Sequence, residues 1–185
     1  MRPLLLIAAP SMQDPFFEKA VVLVWHHDED GAIGVIVNRP LVGGTTDVQL
    51  TIGEVLVLDE GVPEGPLAHQ VVNWGGPVET DSGTLVTTVP IDDEEGWRLD
   101  AGVNISRSQD VLVRALSAEA KSRLCLGYAG WGPGQLDREI ADGSWLFTEP
   151  LPDLVFHENA DACWERAILT LGIAPEWLLM SPAEA

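Results

Sequence analysis

Leu124-Cys125-Leu126-Gly127-Tyr128-Ala129-Gly130-Trp131-Gly132-Pro133-Gly134-Gln135-Leu136-Asp137-Arg138-Glu139-Ile140-Ala141-Asp142-Gly143-Ser144-Trp145 is the stretch on which the fold turns. It reads as an apolar strand, a glycine-rich bend, a short helix and a return to extended chain. Four glycines and a proline between Gly127 and Gly134 permit backbone angles closed to other residues. Pro133 suits the first turn of a helix, and Gly143 the residue just past its end. Leu136 and Ile140 then share one helix face, and Gln135 and Glu139 the adjacent one.

Downstream, Trp145–Thr148 and Leu154–Phe156 read as extended pieces. Asn159 caps a last helix whose buried stripe is Trp164, Ala167, Ile168 and Leu171, and Gly172 stops it. Ala174–Met180 is expected to pack a final apolar turn before a frayed end at Ser181–Ala185. Upstream, Ser106 or Ser108 caps a helix reaching to about Leu116, with Val111, Leu112, Ala115 and Leu116 inward. Short strands are expected at Leu4–Ala9, Ala20–Trp25, Ala32–Val37, Gln70–Trp74 and Gly83–Val89, with extended pieces at Trp97–Leu99 and Val103–Ile105. Asp28–Gly31 turns the first hairpin, Asp14 and Pro15 open one helical turn, and Gly75-Gly76-Pro77 makes a tight turn. Thr51-Ile52-Gly53-Glu54 has capping-box spacing ahead of a short helix over Val55–Leu58. Asp59–Ala68 is a connection. Regular βα alternation is missing from the first half, so the class is α+β: a mostly antiparallel sheet curling toward a barrel-like body, with short helices outside.

At 185 residues and 46% hydrophobic content the chain, residues 1–185, is expected to be a single domain. Ten basic residues against 29 acidic ones give a net charge of −19. That balance repels phosphate backbones and anionic lipid, so neither direct nucleic-acid binding nor membrane association is expected. The Leu4–Ala9 run ends at Pro10 and is too short for a signal core. Cys125 and Cys163 lie in apolar stretches and read as reduced core thiols, which places the protein in the cytoplasm.

Three blocks resemble the YqgE/AlgH family of bacterial proteins over roughly residues 4–172. The first is Leu5-Leu6-Ile7-Ala8-Ala9-Pro10 with Asp14-Pro15-Phe16-Phe17, through His27, to Gly31-Ala32-Ile33-Gly34-Val35-Ile36-Val37-Asn38-Arg39-Pro40. The second is Gly75-Gly76-Pro77-Val78. The third is Leu126-Gly127-Tyr128-Ala129-Gly130-Trp131 with Gly134-Gln135-Leu136, Glu139 and Trp145. The chain departs from the family at Ala20, where members usually carry serine, and at Asp137, where glutamate is common. The resemblance implies a bifurcated, pseudo-barrel sheet and brings no established enzyme activity. Its inherited label is transcriptional regulator.

Catalytic signatures are thin. G-x-S-x-G, H-E-x-x-H and the phosphate-loop spelling are all missing from the sequence. Gly130-Trp131-Gly132-Pro133-Gly134, with Glu149 downstream, suggests a dinucleotide turn, but the spacing is wrong and Pro133 removes a donor. His26 and His27 are adjacent on a strand and face opposite ways, and a calcium loop built on Asp28 and Asp30 would need a glutamate where Val37 stands. No metal and no cofactor is expected. Gly31-Ala32-Ile33-Gly34 has the spelling of an RNA-binding loop but acidic flanks.

The candidate interaction or ligand surface is therefore Trp131, Gln135, Glu139, Asn38 and Arg39. Trp131 would be an aromatic anchor, and substitution of Gln135 or Glu139 by alanine would leave stability within about 0.5 kcal/mol. Three classes of function compete. A non-enzymatic regulatory protein with an unknown protein partner is favoured. A small-molecule- or nucleotide-binding protein or enzyme with a pocket near Gly130–Gly134 is the alternative, framed also by Asn38 and Gly75–Val78. Direct DNA binding is disfavoured by charge.

Overall fold

The fully apolar runs at the start of the chain become strands buried on both faces. The computed structural model describes residues 3–43, 48–56, 65–99 and 102–173. Strand β1 (Leu4–Ala8) pairs antiparallel with β2 (Val21–Asp28), placing Leu5 opposite Leu23. Strand β2 turns at Glu29-Asp30 into β3 (Gly31–Ile36), with a bulge between Val24 and His26. Leu5, Ile7, Val21, Leu23 and Val35 pack in one core cluster with Trp164 and Ile168. Leu6, Ala8, Val22, Val24 and Ile36 pack in another with Trp131, Leu136 and Trp145. A strand covered on both sides has no polar face to alternate with, hence the unbroken apolar spelling.

The quoted stretch builds the spine of the sheet. Strand β8 (Ser122–Trp131) is ten residues long and changes partner midway. Its first half pairs with β5 (Val78–Thr87), Leu85 opposite Leu124. Its last three residues pair with β3, Ala32 opposite Trp131. The wedge between the diverging strands is filled by β4 (Asn73–Trp74), which runs parallel to β8 against Cys125 and Leu126. Gly75 closes the gap: it donates its N–H to the Leu126 carbonyl at 2.6 Å and accepts from the Ile36 N–H at 2.9 Å. Gly127 sits at the fork with φ +72.

The strand order is β6–β7–β5–β8–β3–β2–β1–β9, with β4 on the branch. Here β6 is Gly96–Arg98, β7 Asn104–Ser106 and β9 Trp145–Thr148. All neighbours are antiparallel except β4 with β8. This is the expected α+β class, a forked sheet curled into a half-barrel. Its helices are short: α1 (Ile52–Val55), α2 (Gln109–Ser117), α3 (Gln135–Ala141), α4 (Pro152–Val155) and α5 (Ala160–Thr170). Asn159 caps α5 by accepting from the Ala162 N–H at 2.9 Å. No helix among the described residues is long and apolar enough to cross a membrane.

Several local expectations need correction. The glycines at 127 and 130 do not bend the chain; they lie inside β8, and the turn is confined to Gly132–Gly134. Leu154–Phe156 is not extended, because Pro152 starts the single turn of α4. The capping box encloses α1 instead of preceding it: Glu54 Oε2 accepts from both the N–H and the hydroxyl of Thr51 at 2.8 Å. Only Asn73–Trp74 of the Gln70–Trp74 run is strand, and Gly75–Pro77 crosses the fork instead of closing a hairpin. The apolar turn at 174–180, the end at 181–185 and residues 57–64 lie outside the described residues.

On the outer wing, α2 is tied to the loop before β6. Arg114 Nη1 and Nη2 donate to Glu95 Oε1 and Oε2 at 2.6 and 3.0 Å. This bidentate pair, with the Asp92 N–H, holds the Glu95 carboxyl down from 4.5 to about 2. A depressed folded value contributes stability above the unfolded one, lost as pH falls through the folded one. A Glu95→Gln variant is therefore expected to melt slightly below the parent at pH 7 and to converge with it between pH 4.5 and about 2. The pair is exposed, so the effect is small. A constant offset across a series of melting curves in that window would contradict it.

Candidate functional site

The turn after β8 brings α3 back over the end of the sheet, with Leu136 buried beneath it. Gln135 and Glu139, one helical turn apart, then lie beside the two tryptophans that end β8 and begin β9. Glu139 Oε2 accepts the indole N–H of Trp131 and that of Trp145, each at 2.9 Å. Glu139 Oε1 accepts from the Gln135 amide at 2.8 Å, and Gln135 Oε1 accepts from the Gly132 N–H at 3.1 Å. Trp131 and Trp145 meet edge to face with centroids 6.1 Å apart. Phe17 packs on both, 6.3 Å from Trp131 and 5.6 Å from Trp145.

This knot changes the reading of Trp131. It is 6% exposed and Trp145 2% exposed, so Trp131 does not project as an anchor. Pairing with β3 on one edge and cover from α3 and Phe17 bury the ring. Glu139 is half-buried, with three N–H donors on its two oxygens. Its geometry is that of a fixed acceptor holding two large rings. Gln135 is exposed, but its amide is spent on Glu139 and the turn.

Asn38 and Arg39 leave the end of β3 and grip the loop before β2. Asn38 Oδ1 accepts from the Val21 N–H at 2.8 Å while its amide donates to the Lys19 carbonyl at 2.9 Å. The Arg39 guanidinium donates to the carbonyls of Pro15, Phe16 and Glu18 at 3.1, 2.6 and 2.8 Å. It also lies 5.8 Å from the centroid of the Trp74 ring. Burial lowers its pKa, against the opposing pull of Glu18 and Asp14. Phe16 stacks on the other partner of this arrangement, Trp74, at 5.7 Å.

The five candidate residues thus converge indirectly, through one loop. Residues 14–19 place Phe17 on the Trp131 knot and Phe16 over Trp74, with Arg39 beneath. The candidate surface expected from the sequence includes neither phenylalanine. The available signal was the doublet Phe16-Phe17, two rings on a loop between two buried strands. Phe16 is 51% exposed and is the largest apolar group this region offers to solvent.

The remaining candidates separate. The Cys125 and Cys163 thiols are buried and free, pushed by burial to about 12 and about 11, and donate weakly to the Ile36 and Leu154 carbonyls. They are inert as nucleophiles. His26 meets Asp28 at 2.8 Å and His27 meets Asp137 at 3.3 Å, so the rings diverge. A cleft of about 420 Å³ opens beside β4 and the start of β8. None of the Gly130–Gly134 residues lines it.

The half-rolled, forked sheet with short outer helices defines an α+β half-barrel domain. Solved structures share it. The solution structure of the AlgH protein from Pseudomonas aeruginosa superposes with a TM-score of 0.71 at 33% identity, covering 98% of this chain and 94% of that one. An X-ray crystal structure of a protein from Corynebacterium diphtheriae gives 0.69 at 27% identity, covering 95% and 87%. A relative from Paracoccus denitrificans, named a UPF0301 protein, is 38% identical over 96% of this chain and 92% of its own length. The UPF0301 protein of Vibrio cholerae is 34% identical over 94% and 92%. The AlgH-like family model matches residues 5–176, and the chain belongs to that family.

Proposed function

We propose that the protein is a cytoplasmic regulatory protein that acts by docking a protein partner, without catalysis, on the surface around Phe16. One observation carries this reading: the polar groups of the candidate site are bound to one another, while an aromatic ring held on a rigid mount is left half in solvent. Asn38, Gln135 and Glu139 spend their side chains on internal bonds, which leaves little for proton transfer. Phe16, stacked on Trp74 and backed by Arg39, is a preorganised anchor of the kind that dominates small interfaces. The net charge of −19 favours a partner with a basic face.

The Phe16→Ala variant is expected to keep its stability within about 1 kcal/mol, since the ring is exposed and its stacking worth little more. It is expected to lose a basic protein that the parent retains in affinity capture. Equal retention by both would reject the surface. Turnover of a metabolite by the purified protein, abolished by Glu139→Gln, would put an enzyme in place of this reading.

The regulatory role is not proposed to run through DNA. With 29 acidic residues facing ten basic ones, counterion release gains little against repulsion. A salt titration with random and promoter duplexes is expected to show no submicromolar, salt-sensitive binding by the isolated protein. Such binding would overturn the assignment.

A further inference from the structure

In a chain this acidic, the cleft of about 420 Å³ beside β4 is an exception in local charge. Among the described residues Lys121, Arg123 and His69 line it, against one acid in the lining, Glu158, while the exposed Asp153 lies 3.9 Å from Lys121 Nζ at its edge. Arg123 is the unusual member. Arg98, Arg107 and Arg114 each hold a carboxylate on the surface. Arg123 is half-buried and has no carboxylate within ion-pair distance among the described residues. Its two hydrogen bonds go to neutral oxygens: Nη1 to Asn73 Oδ1 at 3.1 Å and Nη2 to the His157 carbonyl at 2.8 Å. Its Nε–H is buried with no acceptor among the described residues, and one bond each from Nη1 and Nη2 leaves a further N–H on each terminal nitrogen. A guanidinium removed from water without a counter-charge is unfavourable, and an anion entering the cleft would relieve it.

The size and lining narrow the class of anion. The volume falls in the range of small-molecule sites, too small for a folded partner. His69 comes from the 3-10 turn at Pro66–His69, Lys121 immediately precedes β8 and Arg123 lies in it; three nitrogen-bearing side chains from two directions suit a tetrahedral dianion better than a planar carboxylate, which one guanidinium satisfies alone. Phe156 adds an aromatic wall. We infer that this cleft binds a small organic phosphate, its phosphoryl group on Arg123 and Lys121 and its body against Phe156. The inference is independent of the Phe16 surface, because none of the cleft's lining residues belongs to it.

Calorimetric titration of the full chain with phenyl phosphate, inorganic phosphate and benzoate tests this. Phenyl phosphate is expected to bind at millimolar concentration or tighter, ahead of inorganic phosphate, which lacks the ring, and ahead of benzoate. Lys121→Gln, at an exposed side chain, is expected to weaken phenyl phosphate about tenfold with an unchanged melting temperature, the loss of one charge-assisted bond. Glu158→Gln is expected to tighten it by removing the acid that lines the cleft. Arg123→Gln should abolish binding, but it also removes the Asn73 and His157 bonds, so the Lys121 and Glu158 variants carry the decision. Absence of binding at 10 mM (about tenfold above the weakest affinity expected), equal binding of benzoate, or insensitivity to both charge variants would overturn the inference.

Discussion

Gly127→Ala is expected to cost about 2–5 kcal/mol, a large share of the stability of a domain this size. Two penalties add. At φ +72 an alanine adopts the left-handed conformation that costs an L-residue about 1–2 kcal/mol. Its Cβ would also stand 2.3 Å from the Gly76 carbonyl oxygen and 3.1 Å from that of Val78. Both neighbours are backbone, and Gly75 is fastened to β8 and β3 by the bonds that fill the fork. Relief would require opening the branch itself. Gly134 supplies the control: its φ is +64, but nothing lies within 4 Å of a Cβ there. Gly134→Ala should therefore cost only the conformational part. Urea midpoints of the two variants decide; equal shifts would mean that the close approach at the fork contributes nothing.

That fork also marks how far the sequence could be read. Leu4–Ala9, Ala20–Trp25 and Ala32–Val37 were legible because buried strands need apolar, β-branched runs, and the acidic Asp28–Gly31 turn separates two of them. The Asn159 cap and the Trp164–Leu171 stripe were legible for the same local reason. What local spelling could not show was that Gly127 serves a branch point. A glycine that turns the chain and a glycine that lets another backbone come close look alike in one dimension. The contact that distinguishes them, with Gly76, comes from 51 residues away. Gln135 and Glu139 were legible as neighbours, since they face the same way on any helix, but that Asn38 and Arg39 approach them through the loop at residues 14–19 was not. Nor was the task of the helical pair, because hydrogen bonds from Trp131 and Trp145 depend on where β8 and β9 end. The cleft was hidden for a further reason. Lys121 and Arg123 sit near one another in sequence, but His69 and Phe156 arrive from opposite halves of the chain.

Glu139→Ala is expected to destabilise the protein by about 2–4 kcal/mol, well beyond the surface value anticipated for a solvated helix position. The carboxylate accepts two indole N–H bonds on one oxygen, and both rings are buried. Removing it strands two donors, each costing about 1–3 kcal/mol unless water reaches it. Water can reach part of the space, because Glu139 itself is half-buried, which sets the lower end of the range. Glu139→Gln separates charge from geometry. Its carbonyl can still take both indoles, but its amide then faces the Gln135 amide, and turning Gln135 leaves the Gly132 N–H without its acceptor. A loss of about 1–2 kcal/mol follows, since neutral acceptors are weaker than charged ones. Gln135→Ala, at an exposed residue, should stay below about 1 kcal/mol. Trp131→Ala removes a ring from the centre of the cluster and should cost about 3–5 kcal/mol. Nuclear magnetic resonance gives a readout that stability alone does not. The indole N–H signals of Trp131 and Trp145 should shift together on Glu139→Gln, because they share one oxygen. If Glu139→Ala unfolds at the parent's urea midpoint and both indole signals stay in place, the carboxylate is not what holds these rings, and Glu139 returns to the surface as a group free to meet a partner.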